Sequence, residues 1–320
     1  MEQISNKEKY AAFCKTEKNI PIFLQPWWMD AVCIKGSWEA LLYEEKGLIK
    51  GVLIYYTLKK YGFRMVLQPM LTQYNGIWLK YTENLSHKDK VSFEKRATSN
   101  LIGQLQEKTK FHVYQQNFTP NFTNWLPFYW KSYRQTTRYT YQIKDISNPE
   151  KCFENFSYSK QKHIKKSESI LRLLEIDDDK FYELLKLQYL HQHKTPFYPL
   201  SFFKTLYEAC IYNKQGKIIA IGDENETIHS ALFIVWDNKT AYNLISTIHP
   251  MYKSSGASTL AVFEAIKLMS SKVEIFDFEG SMIENVESSF SQFNTEQAPY
   301  YQIYRHRFLI SELIFKLLKR

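Results

Sequence analysis

Apolar and polar positions along this chain follow two periods, and the switches between them mark out its elements. Residues 1–19 are polar and read as a helix or a loose end. Over 37–67, "SWEALLYEEKG" and "LIKGVLIYYTLKK" are strand-like runs split by Lys46-Gly47, a hairpin signature, and "GFRMVLQP" follows as a third strand. Ser86 then opens a helical stretch with Asp89 at the capping-box position and Val91, Leu101, Ile102 and Leu105 at helical spacing. "KFHVYQQ" and "YRQTTRYTYQIKD" read as strands, with a break near Ser147-Asn148-Pro149.

The pattern then starts again. Ser159 is placed to cap a helix containing "KQKHIKK", "ILRLLEI" reads as a short strand, and "DDDKFYELLKLQYLHQH" as a helix with acidic residues in its first turn. Another helix follows Pro199. Three strands come next, "GKIIAIGD", "TIHSALFIVWD" and "TAYNLIST", the last two joined at Asp237-Asn238. A helix at about 256–270, the strand "KVEIFDFEG", the helix "IENVESSFSQF" and the strand "APYYQIYR" complete the series. The end, "FLISELIFKLLKR", reads as an amphipathic helix that packs on the body or touches a membrane with its basic end. This order predicts an α+β, mixed α/β fold of mostly antiparallel sheets covered by helices. It divides into 1–145 and 146–320. Ile49–Ile54 echoes Ile228–Phe233 in pattern, which suggests two copies of one domain type.

Charge separates the halves. Residues 1–145 carry 21 Lys/Arg against 12 Asp/Glu, and 146–320 carry 21 of each, so the whole net charge of +9 lies in the first half. Such a half suits nucleic acid, another acidic polymer or an anionic membrane surface, or simply a solubilising surface. Cys14, Cys33, Cys152 and Cys210 are far apart and form no CxxC, which fits free thiols in the cytoplasm. "MEQISNKEKY" has no apolar core of the kind a secretory signal needs, and no apolar run reaches the length of a membrane span. His191 and His193 lack a convincing third ligand nearby, so no metal site is expected.

The candidate chemistry centres on "YKSSGAS". A helix N-terminus leaves backbone N–H groups without partners and attracts phosphate. Ser254, Ser255, Gly256, Ala257 and Ser258 are all small enough for close approach, and Lys253 adds a charge. The same residues also fit an ordinary Ser-capped helix start.

Placed after a β-meander and before "EIFDFEG", Lys253–Ser258 resembles the loop patterned Arg/Gln-x-x-Gly-x-Gly/Ala that holds acyl-coenzyme A pyrophosphate in GNAT acyltransferases. It departs from that pattern with Lys first and Ser258 last. "FSYSKQKHIKKSES", "FYELLKLQYLHQHKTPFYPLSFFKTLYEA" and "IFDFEGSMIENV", with "IPIFLQPWWMDAV" and "LQPMLTQYNGIWL" in the first half, resemble the Fem-type branch of tandem GNAT proteins, which includes peptidoglycan-bridge aminoacyltransferases. The helical arm of the bridge-forming enzymes has no counterpart in the second half.

The resemblance implies a donor domain at 146–320 and a degenerate first domain that is structural or serves the acceptor. It implies acyl transfer, acetyl transfer foremost, from acyl-coenzyme A to an amine of a small or envelope-precursor acceptor in a bacterial cytoplasm. Aminoacyl-tRNA is the alternative donor. A non-catalytic binder of nucleic acid or acidic polymer is the reading from another class. A backbone N–H around Ile245–Thr247 is the implied oxyanion donor, with Ile245 and Thr247 as the named positions. Asp277 and Glu279, two apart on one strand face, are placed to take the amine proton or to support the Gly280-Ser281 turn. Tyr252 either protonates the leaving group or packs. Lys162, Lys165 and Lys166 share a helix face with the spacing to hold a phosphorylated substrate or a solvated surface.

Overall fold

The computed structural model describes residues 4–60, 62–280 and 282–307. The expected C-terminal helix lies outside the described residues. The chain divides into two units: Met1–Arg138 with Pro299–Arg320, and Tyr139–Ala298.

In the first unit Ser5 caps α1 (Asn6–Thr16) through a capping box with Glu8. Next comes α2 (Pro26–Val32), which buries Trp28. β1 (Ser37–Glu45) and β2 (Leu48–Lys60) form the expected hairpin, with Lys46 and Gly47 both at positive φ in the turn. β3 (Phe63–Leu67) and β4 (Gly76–Leu79) pair antiparallel with successive parts of β2. Ser86 caps α3 (His87–Thr109) by accepting from Asp89 N. β5 (Val113–Asn117) runs parallel to β3, and α4 (Leu126–Trp130) follows. β6 (Arg134–Ile143) carries the chain into the second unit.

There, α5 (Pro149–Asn155), α6 (Tyr158–Glu168), β7 (Arg172–Leu174), α7 (Asp178–His191) and α8 (Leu200–Tyr212) precede a meander of β8 (Gly216–Gly222), β9 (Ile228–Trp236) and β10 (Thr240–Ile248). Helix α9 (Ala257–Met269), β11 (Ile275–Asp277) and α10 (Glu284–Ser291) follow, and β12 (Glu296–His306) returns the chain to the first unit. The strand order here is β6-β11-β10-β9-β8-β7, with only β10 and β11 parallel.

The division differs from a cut at 145/146 for a physical reason. Gln302–His306 of β12 pair antiparallel with β5, and Ile303 is fully buried in the first unit's core with Leu101, Tyr114 and Phe128. The second unit packs Ile219, Ile221, Leu232 and Ile234 against Leu260, Ala261, Ala265 and Ile266 of α9. Each fully buried aliphatic side chain there is worth about 1.5–3 kcal/mol. Among the described residues no helix is long and apolar enough to cross a membrane.

Candidate active site

The loop before α9 is held by aromatic and hydroxyl contacts. His249 Nδ1 accepts from Met251 N at 3.2 Å and starts the 3-10 turn Pro250–Tyr252. The Tyr252 ring lies flat on His229, with centroids 3.9 Å apart and planes 4° from parallel, and leans against His249. Tyr252 is thus packed between the two histidines. Ser255 Oγ accepts from Ala257 N. Gly256 stands at φ +81, the left-handed region, just before α9.

Gly256 is small for a further reason that its place in the loop does not show. It is buried against α6, where a Cβ would collide with Ser167 Oγ. Ser167 Oγ lies 2.7 Å from His163 O and 2.9 Å from Ser255 O, tying α6 to the loop. Ala257 is also buried, whereas Lys253 and Ser258 are exposed.

What opens to solvent beside the loop is a pocket of about 390 Å³ lined by Tyr158, Ser159, Lys162, His163, Lys166, Ser254 and Ser255. The basic run of α6 and the serines before α9, separate candidates in the sequence, thus meet in one cavity. Lys165 leaves the group and sits 5.7 Å from the centre of the Phe153 ring. Lys160 turns inward, donates to Ser289 Oγ at 3.1 Å and lies over Phe293, and burial pulls its ammonium down to about 8. The cap of α6 is Ser157, accepting from Lys160 N, so Ser159 is free to line the pocket instead. Tyr158, 80% exposed at its rim, carried no signal beyond being an aromatic ahead of a basic run.

The strand leading to the loop is irregular where the oxyanion donor was expected. The register with β9 shifts between Asn243 and Ile245, a bulge at Leu244. Pairing with β11 covers only Thr240–Tyr242, so β10 runs on from Asn243 without a β11 partner. Ile245 and Thr247 lie in that run, opposite Phe233 and Ala231 of β9. Thr247 Oγ1 and Ile248 N both donate to Gln188 Oε1, at 2.9 and 2.8 Å, fixing the strand end to α7.

Asp277 and Glu279 are not equivalent. The strand expected over "KVEIFDFEG" stops at Asp277, and Glu279 sits in a left-handed turn at φ +57. Alternation along a strand therefore does not relate the two. Asp277 is fully buried and accepts from Thr140 Oγ1 (2.5 Å), Gln142 Nε2 (2.7 Å) and Glu279 N (2.7 Å). Lys144 Nζ donates in turn to Gln142 Oε1. Glu279 is partly exposed as a residue, yet its Oε1 is buried with no partner among the described residues. Burial first, and the Asp277 charge second, push the Glu279 carboxyl well above its ordinary 4.5. Gly280, at φ +47, lies against the Tyr139 carbonyl where a Cβ would not fit. The result is an anchored acceptor, Asp277, beside a carboxyl that favours its neutral form, Glu279. Once ionised, a carboxyl so raised is a stronger base than an ordinary carboxylate. Among the described residues no cluster of three His, Cys, Asp or Glu could hold a metal.

No family model matches the chain. Cell division protein ZapC of Shewanella oneidensis is 32% identical over 83 residues, 26% of this chain and 45% of that protein, so the chain spans about half the length of this curated relative. The structural likenesses are broader. FemX covers the whole chain in both directions with a TM-score of 0.72 at 9% identity. L-PGS from Bacillus licheniformis covers 100% of this chain and 99% of its own, with a TM-score of 0.56 at 13% identity. The tandem GNAT protein from the clavulanic acid biosynthesis pathway covers 94% of each chain, with a TM-score of 0.56 at 6% identity. The chain has the tandem GNAT-like, Fem-like fold of these structures.

Proposed function

We propose that this protein transfers an acyl group, acetyl foremost, from acyl-coenzyme A to an amine of a small or envelope-precursor acceptor. The observation that carries the reading is the meeting of Lys162, His163 and Lys166 with Ser254 and Ser255 in one pocket at the start of α9. Two ammonium groups and two hydroxyls beside a helix N-terminus suit a donor's phosphates. Tyr158 offers a ring face on which a nucleotide base can stack.

In the proposed reaction the neutral amine attacks the thioester carbonyl, the carbon–sulfur bond breaks, and the thiolate leaves and is protonated. The backbone of β10 beyond Tyr242, unpaired on the β11 side, supports an oxyanion donor among Asn243–Thr247. Glu279 in its ionised form is the proposed proton acceptor for the attacking amine, its raised proton affinity making that form the stronger base, with Asp277 as the residue that positions it. The free thiols Cys14, Cys33, Cys152 and Cys210 support a reducing, cytoplasmic setting.

A second donor, aminoacyl-tRNA, is favoured by one observation: the whole net charge of +9 lies within residues 1–145. Calorimetry with acetyl-coenzyme A, beside tRNA binding across a salt series, separates the two. Coenzyme A binding that disappears in Gly256→Glu, a side chain forced against Ser167, supports the first. Steep salt-dependent tRNA affinity without coenzyme A binding replaces it with the second. Failure of both, with no acyl transfer to any amine tried, leaves a binder of acidic polymer.

A further inference from the structure

Helix α4 in the first unit turns an apolar face outward. Phe128 is fully buried, in ring contact with Tyr114, Phe118, Phe122 and Tyr133, and Pro127 is buried beside it. Leu126, Tyr129 and Trp130, at i, i+3 and i+4, share the opposite face. They are 47%, 61% and 58% exposed. One exposed apolar side chain needs no explanation, but three on one anchored turn form a patch.

Along the sequence flanking this patch the charge has one sign. Between Glu107 and Asp145 the sequence has no Asp or Glu, while it carries Lys108, Lys110, Lys131, Arg134 and Arg138 within the first unit. Lys131 follows Trp130 directly, and Arg134 is exposed. A carboxylate that reaches this stretch, Glu94, is buried and accepts from Asn124 Nδ2 at 3.0 Å and Tyr81 Oη at 2.9 Å.

We propose that α4 is a membrane-surface anchor: Leu126, Tyr129 and Trp130 enter the interface of an anionic bilayer while Lys131 and Arg134 meet its headgroup phosphates. Tryptophan and tyrosine favour the headgroup level, and leucine the acyl boundary beneath it. Basic side chains beside them gain from the negative surface potential of anionic lipid. Nucleic acid would use the two rings for stacking but has no use for the leucine that completes the face. The apolar area is small, so contact is reversible and needs both apolar and electrostatic contributions, which makes it weaken with salt. This surface is separate in sequence from the C-terminal run that first suggested membrane contact.

The test is co-sedimentation of the full chain with vesicles of phosphatidylcholine containing phosphatidylglycerol, against vesicles of phosphatidylcholine alone. Preferential binding to the anionic vesicles is expected, and the double variant Leu126→Ser/Trp130→Ser should lose at least about tenfold in partitioning. Arg134→Glu should weaken binding and flatten its salt dependence. Trp130→Phe should keep binding but lose part of the fluorescence quenching by brominated lipid. The thermal midpoint of the double variant should stay at the wild-type value, separating loss of anchoring from loss of fold. Equal partitioning of the wild type and the double variant overturns the proposal. So does tRNA binding that falls in the double variant while vesicles are ignored. The outcome is independent of the donor reading, because neither vesicle binding nor the midpoint involves coenzyme A.

Discussion

Glu279 concentrates the tension of the site in one residue. It combines a left-handed backbone, a buried oxygen without a partner and a negative neighbour. Its carboxyl binds a proton more tightly folded than unfolded, so the unfolded chain releases that proton first as pH rises from about the ordinary 4.5. Stability contributed by the proton is therefore complete below that pH and lost on going up through the folded-state value. Glu279→Gln keeps the shape and removes the titration. Denaturant unfolding between acid and neutral pH should show the variant matching the wild type at low pH and exceeding it increasingly above. Parallel curves would remove the argument for a neutral carboxyl. The sequence made the Asp277/Glu279 pair visible, but not their difference, because a left-handed turn at a non-glycine residue leaves no pattern. Gly256 was conspicuous at the mouth of its helix. Its contact with Ser167 was not, since nothing local records which helix will lie across a loop.

Among elements, α6 and α9 make the site together. α6 places Lys162 and Lys166 on the face toward Ser254 and Ser255; helical spacing grouped these two but also counted Lys165, which turns to the Phe153 ring. Its partner loop could not be read from spacing. Lys166→Glu should weaken coenzyme A binding by about tenfold and reduce the salt dependence, whereas Lys165→Glu, at the Phe153 ring, should change it far less. Calorimetry at two salt concentrations checks both, and equal losses would point to a diffuse positive field in place of a pocket. Long periodic elements such as α3 and the β8–β10 meander were apparent from sequence. The short ones were not: β4 has four residues beginning at Gly76, and α4 has five with Pro127 inside. Too few positions repeat for any period to show.

At the scale of the molecule, the doubling of one domain type was readable in the echo of Ile49–Ile54 and Ile228–Phe233. The return of β12 was not, because strand partners are chosen in space. Since among the described residues the second core draws on 139–298 alone, that fragment should unfold cooperatively when made alone. Residues 1–138 alone lack Ile303 and the β5 pairing, and should give a broad, weakly cooperative transition. Circular dichroism melts of the two fragments test this. A sharp transition in 1–138 would show that β12 is dispensable.

The return of β12 also sets a timetable for the growing chain. Its pairing residues leave the ribosome roughly 160 residues after the segment ending at Arg138, a delay of about 10–30 s at ordinary rates of synthesis. For that interval the earliest-made part waits with β5 open along one side, while the later-made part can already close. The residues made before β12 in the first unit are thus among the last to settle, and in that interval an exposed strand edge invites the wrong partner.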